Sequence, residues 1–141
     1  MFKLPASDKA NDLIVINGEI KAIITDLNNS RLTDFADLAD ILEAWQTGSA
    51  ASSAYRATTT QLNDVEAIAG RLKTFADKYP LTARNIAVIH LINKSADSLL
   101  SACTAMRNNN MTNFSNHMKT SVRYFSNLAK LVRFRGNKTN G

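Results

Sequence analysis

Apolar residues recur every three or four positions along almost the whole chain. That is the period of an α-helix rather than a strand, and it restricts the fold before any other feature does. Leu13, Ile16, Ile20, Ile23, Ile24 and Leu27 share one face of a first segment running from Ser7 to Asn28. Phe35, Leu38, Leu42 and Trp45 mark a second, short segment. Tyr55, Leu62, Val65, Ala69, Leu72, Ala76 and Tyr79 recur at heptad-like intervals in a third, which reads as one long helix opening within Ser49–Ala54 and ending at Tyr79. Ile89, Ile92, Ala96, Leu99, Leu100, Cys103 and Met106 form the core face of a fourth, from Ala83 to Arg107. Phe114, Met118, Val122, Phe125, Leu128 and Val132 face inward on a fifth, which begins at Met111 or Thr112.

The punctuation between these segments is that of helices. Ser7 before Asp8, Thr33 before Asp34 and Asp37, and Thr82 each stand where an N-cap hydroxyl accepts a free backbone N–H, and the early carboxylates suit the helix dipole. Gly48 and Gly136 read as helix terminators. Pro80 stops the third helix, because the residue before a proline is pushed out of helical geometry. Asn108-Asn109-Asn110 separates the last two. One signal competes: the β-branched runs around Asn17-Gly18 also suit a hairpin over residues 13–24 with a type I′ turn. A lone hairpin needs further strands, and no other stretch offers them. The expected fold is therefore all-α, an antiparallel bundle of four to five helices with short connections. A single domain is expected over residues 1–141, with 137–141 a frayed tail.

Composition removes several functional classes. A chain of 141 residues with one cysteine is neither a disulfide scaffold nor a multi-cysteine zinc protein. No apolar run approaches the ~20 residues that span a bilayer. The opening MFKLPASDKAND lacks the apolar core of a secretory signal, which points to a cytoplasmic setting. His90 and His117 share no short ligand spacing, so no metal or cofactor is expected.

Charge is unevenly distributed. Residues 1–79 carry eight Lys/Arg against eleven Asp/Glu, whereas residues 80–141 carry nine Lys/Arg against Asp97 alone. From Arg107 onward there are seven basic residues and no acidic one. On the fifth helix Lys119, Arg123, Lys130 and Arg133 fall within an arc of about 80°, beside the apolar face, and span about 21 Å of its axis. Such a row suits phosphates, and binding through it should weaken steeply with salt. Arg107, Arg135 and Lys138 add to the field, and Tyr124 and Phe134 lie where they can stack on bases or cover apolar surface. The same cations also suit the C-terminal end of a helix dipole, or the acidic second helix of the same chain.

Three constellations bear on chemistry, and a fourth on a turn. His90, Lys94 and Asp97 lie at i, i+4 and i+7 on the polar face of the fourth helix, where a His beside a carboxylate can move a proton. No nucleophile stands beside them, so the row also reads as an ion-paired surface. The run Arg84-Asn85-Ile86-Ala87-Val88-Ile89-His90 resembles the Arg-polar-x-His signature of HEPN ribonucleases, without the tyrosine that usually follows. The resemblance implies a helical dimer in which Arg84 and His90 meet and cleave RNA. His90 with Lys94-Ser95-Ala96 looks like a histidine phosphotransfer motif in which the lysine is one residue late and the glycine missing. It implies a phosphorylatable His90 on a four-helix bundle. Trp45-Gln46-Thr47-Gly48 is similar to the Trp-x-Gly turn of small secreted helical hairpins, with one extra residue.

The residues thus lead to a non-enzymatic accessory or assembly protein. Its last helix is expected to contact nucleic acid or another polyanion, mainly backbone phosphates, through Lys119, Arg123, Lys130 and Arg133. An acidic protein surface, or a second copy of the chain in a homo-oligomer, is the alternative partner, with the helical bundle acting as an interaction module. The HEPN-like ribonuclease using Arg84 and His90 is the enzymatic alternative.

Overall fold

A computed structural model of the chain describes residues 16–30 and 36–131. Five helices lie among them: α1 (Gly18–Asn29), α2 (Ala36–Ala51), α3 (Thr59–Asp77), α4 (Ile86–Arg107) and α5 (Met111–Leu131). No strand occurs among the described residues, and the protein is an all-α bundle. Ser7, Thr33, Arg133, Gly136 and the 137–141 tail lie outside the described residues.

The hairpin over 13–24 is corrected where it can be seen. Asn17 sits in extended backbone and its side-chain oxygen accepts from the Ile20 N–H at 3.0 Å, so it is the N-cap of α1. The Asn-Gly pair starts a helix because Asn is as good a cap as it is a turn residue. Ile20, Ile23 and Leu27 are buried, while Ile16, expected on the same face, is exposed. The Asn17 amide also donates to the Arg84 carbonyl at 3.0 Å, and the Thr82 hydroxyl donates to Glu19 at 2.7 Å. At the other end of α1, Asp26 accepts from the Tyr79 hydroxyl and pairs with Lys78 at 3.2 Å. These contacts fasten α1 across the end of the bundle where α3 gives way to α4.

α2 runs through Gly48 instead of stopping there. A Cβ on Gly48 would overlap the Tyr55 ring, so this glycine allows a close approach and does not terminate the helix. Tyr55 itself belongs to the 52–58 connection and not to a long third helix. α3 begins at Thr59 because Thr58 and Gln61 form a reciprocal capping box. The Gln61 oxygen accepts both from the Thr58 N–H at 3.2 Å and from the Trp45 indole N–H at 3.1 Å. One side chain thereby starts α3 and satisfies the largest core residue, which packs edge-on against Phe114 with ring centroids 5.3 Å apart.

Thr82 works one turn earlier than expected. Thr82 and Asn85 bond reciprocally through side chains and backbone N–H groups, and α4 starts at Ile86 after that turn. α4 lies between α3 and α5, and for that reason Val88, Leu91, Ala102 and Ala105 are buried in addition to the expected core face, while Leu100 is only half-buried. The Asn108–Asn110 break is a built turn: Asn109 is left-handed (φ 58°), and the Asn110 side chain accepts from the Asn113 N–H to open α5. Phe114, Met118, Val122, Phe125 and Leu128 face inward as their spacing requires.

Candidate polyanion interface

α5 contains no carboxylate from Met111 to Leu131. Its inward side is mostly apolar, and Thr112, Asn113, Asn116, Lys119, Arg123 and Lys130 are exposed on its outer side. Lys119 and Arg123 are one turn apart, about 6 Å along the axis. Among the described residues neither makes an ion pair. Lys130 is exposed about 10 Å further along. Three of the four expected site residues thus share one exposed ridge, and Arg133 lies outside the described residues.

Three cations elsewhere are paired. Arg107, expected to add to the basic field, is held by Glu66 at 2.8 Å and by Asn63 at 2.9 Å, tying the end of α4 to α3. The Glu66 hydrogen bond raises the Arg107 pKa further. Lys73 is paired with Asp97 at 2.6 Å, and Lys78 with Asp26 while lying 4.5 Å over the Phe75 ring. Carboxylates on α1, α3 and α4 neutralise these cations, while Lys119 and Arg123 are unpaired among the described residues.

The Lys73 pair also dissolves the expected His90–Lys94–Asp97 row. Asp97 turns to α3, while His90 and Lys94 remain exposed on α4, with no carboxylate partner among the described residues. Arg84 is exposed in the turn before α4, with its backbone carbonyl holding Asn17. Trp45 and Gly48 both lie inside α2, so they form no Trp-x-Gly turn. Cys103 is buried, and burial pushes its thiol up to about 12, which makes it unreactive at neutral pH. Among the described residues no group of three His, Cys, Asp or Glu side chains is placed to hold a metal ion, and no helix is long and apolar enough to cross a membrane.

Sequence reasoning did not find the polar seam between α4 and α5. Ser121 lies 3.0 Å from the Ser98 hydroxyl, Ser98 donates to the Ser95 carbonyl, and all three serines are buried. Their interruption of an otherwise apolar face at i and i+3 was the available signal. No protein-family model, curated protein or solved structure matches the chain.

Proposed function

We propose that this protein is a non-enzymatic helical accessory or assembly protein that binds the phosphate backbone of nucleic acid along the outer ridge of α5. The observation that carries this reading is the contrast in pairing. Arg107, Lys73 and Lys78 are each matched with a carboxylate, while Lys119 and Arg123 stand exposed on a helix that has none. Exposed cations without internal partners keep their field for an external anion. Lys130, on the same ridge, and Arg133, by its place in the sequence, extend the row.

Phosphate contacts of this kind position a protein without reading bases. Binding should therefore vary little with sequence and fall steeply as salt rises. The test is a titration against single- and double-stranded DNA and RNA at two salt concentrations. Wild type is compared with a variant carrying Lys119→Gln, Arg123→Gln, Lys130→Gln and Arg133→Gln. The variant should bind at least tenfold more weakly at the lower salt and lose most of the salt dependence. Equal affinity of the two proteins for every nucleic acid would place the function elsewhere.

A further inference from the structure

We propose that Asn17-Gly18 is a site of covalent self-modification, in which the Asn17 amide is exchanged for a carboxylate with water as the only co-reactant, and that the docking of α1 holds the reaction back. The inference is independent of the reading of α5. It starts from a pair of which the fold uses one half. Asn17 caps α1, but Gly18 is exposed, a Cβ on it would meet nothing within 4 Å, and its backbone is not left-handed. Neither space nor conformation therefore requires a glycine there. What the glycine leaves is an unshielded backbone nitrogen beside an asparagine side chain. As the first residue of α1, its N–H also has no partner within the helix.

The Gly18 nitrogen attacks Cγ of Asn17 and the C–N bond of the side-chain amide breaks. The amide nitrogen leaves as ammonia, carrying the proton that Gly18 loses. Water then opens the resulting five-membered imide at one carbonyl to give aspartate, or at the other to give isoaspartate. Nothing is oxidised or reduced; the sum is one water taken up and one ammonia released.

The folded chain opposes the first step. Closure requires the Asn17 side chain to turn onto the Gly18 nitrogen, and both of its polar atoms are held. Oδ1 accepts from the Ile20 N–H at 3.0 Å, and Nδ2 donates to the Arg84 carbonyl at 3.0 Å. The second bond exists only while α1 lies on the turn before α4. That docking rests on the buried Ile20, Ile23 and Leu27, and at the far end of α1 on the bonds of Asp26 to Tyr79 and Lys78. Asn17 therefore reacts from the state in which α1 is lifted, at a rate set by the population of that state. The product then favours the same state. A carboxylate at position 17 still caps the helix. It has no hydrogen to give to the Arg84 carbonyl, however, and sets a negative charge against that oxygen. The reaction is thus a one-way timer on the docking of α1.

The experiment follows the full chain at mildly alkaline pH by peptide mapping and mass spectrometry, which separate Asn17-Gly18 from Asn140-Gly141, the other such pair in the sequence. Folded wild type should convert Asn17 at least ~tenfold more slowly than the same chain in concentrated urea. Asp26→Ala removes the bonds to Tyr79 and Lys78 and should speed the folded reaction about fivefold. Tyr79→Phe removes one of those bonds, should fall between the two, and takes the place of Asp26→Ala if that variant does not fold. Gly18→Ala should slow the reaction in the folded and the unfolded chain alike, because its Cβ fits the fold but crowds the attacking nitrogen. Asn17→Asp, which mimics the product, should exchange the amide hydrogens of α1 about threefold faster than wild type and leave those of α4 unchanged. Equal rates in the folded chain and in urea would show that docking gives no protection. An unchanged rate in both Asp26→Ala and Tyr79→Phe would remove docking as the gate. Undiminished protection of α1 in Asn17→Asp would end the timer, and no conversion even in urea would remove the site.

Discussion

Asn127 on α5 is 3 % exposed, and neither its amide nitrogen nor its oxygen has a hydrogen-bond partner among the described residues. A buried polar group left unsatisfied costs about 1–3 kcal/mol, whereas an apolar side chain of similar size in its place avoids that cost. Asn127→Leu should therefore raise the unfolding free energy by about 1–2 kcal/mol in a urea titration; a loss of stability would mean that the Asn127 amide is satisfied in solution and is not a cost to the fold. Gly48 is the opposite case. Gly48→Ala is a gain in helix propensity on paper, but its Cβ would meet the Tyr55 ring, so the protein should lose about 1–3 kcal/mol by the same measurement. Gly48→Ala combined with Tyr55→Ala should recover part of that loss. Neither position was legible in the sequence as what it is. A glycine after an apolar run signals a helix end, and only the folded-back connection shows that the residue yields space to a ring.

At the level of the element, the apolar period located all five helices, but several boundaries depended on side chains serving two purposes. Asn17-Gly18 carries the local signal of both a turn and a cap, and the bond from its amide to the Arg84 carbonyl, 67 residues away, lies beyond any local pattern. The heptad-like spacing of Tyr55 with Leu62 extended α3 too far, although Thr58-x-x-Gln61, a visible capping box, marked the true start. Gln61 is the sharpest test of this element. Gln61→Ala removes the cap partner of Thr58 and leaves the buried Trp45 indole N–H without its acceptor. A loss of about 2 kcal/mol is expected, larger than for a cap alone. Gln61→Glu keeps an acceptor for both donors and should recover most of the stability. A Gln61→Ala protein as stable as wild type would show that the indole finds another partner at no cost.

For the whole molecule, the division between an acidic first half and a basic end was plain in the sequence, and so was the alignment of Lys119, Arg123 and Lys130, because rotation around one helix needs only residue numbers. Which cations would be neutralised was not plain. The pairs Arg107–Glu66 and Lys73–Asp97 depend on the register between α3 and α4, which packing sets. The same holds for the tie between α1 and the rest of the bundle, and its pH dependence follows from its chemistry. The Tyr79 hydroxyl, and then Lys78, hold the Asp26 carboxyl below its ordinary value. That contribution is complete above the ordinary carboxylate range and disappears as pH falls through the folded value. Burial, and then the bond to Asp26, push Tyr79 up to about 12 from an ordinary value near 10. Its contribution is complete below 10 and fades as pH rises towards 12. Tyr79→Phe removes the shared hydrogen bond while keeping the ring that packs against Phe75 at 5.4 Å. The stability difference between wild type and this variant should hold at about 1 kcal/mol across the neutral range. It should shrink below pH 4 and again above pH 10, in denaturant titrations at a series of pH values. A difference that persists undiminished in acid would mean that Tyr79 steadies α1 through its ring alone and that the Asp26 bond adds nothing to the fold.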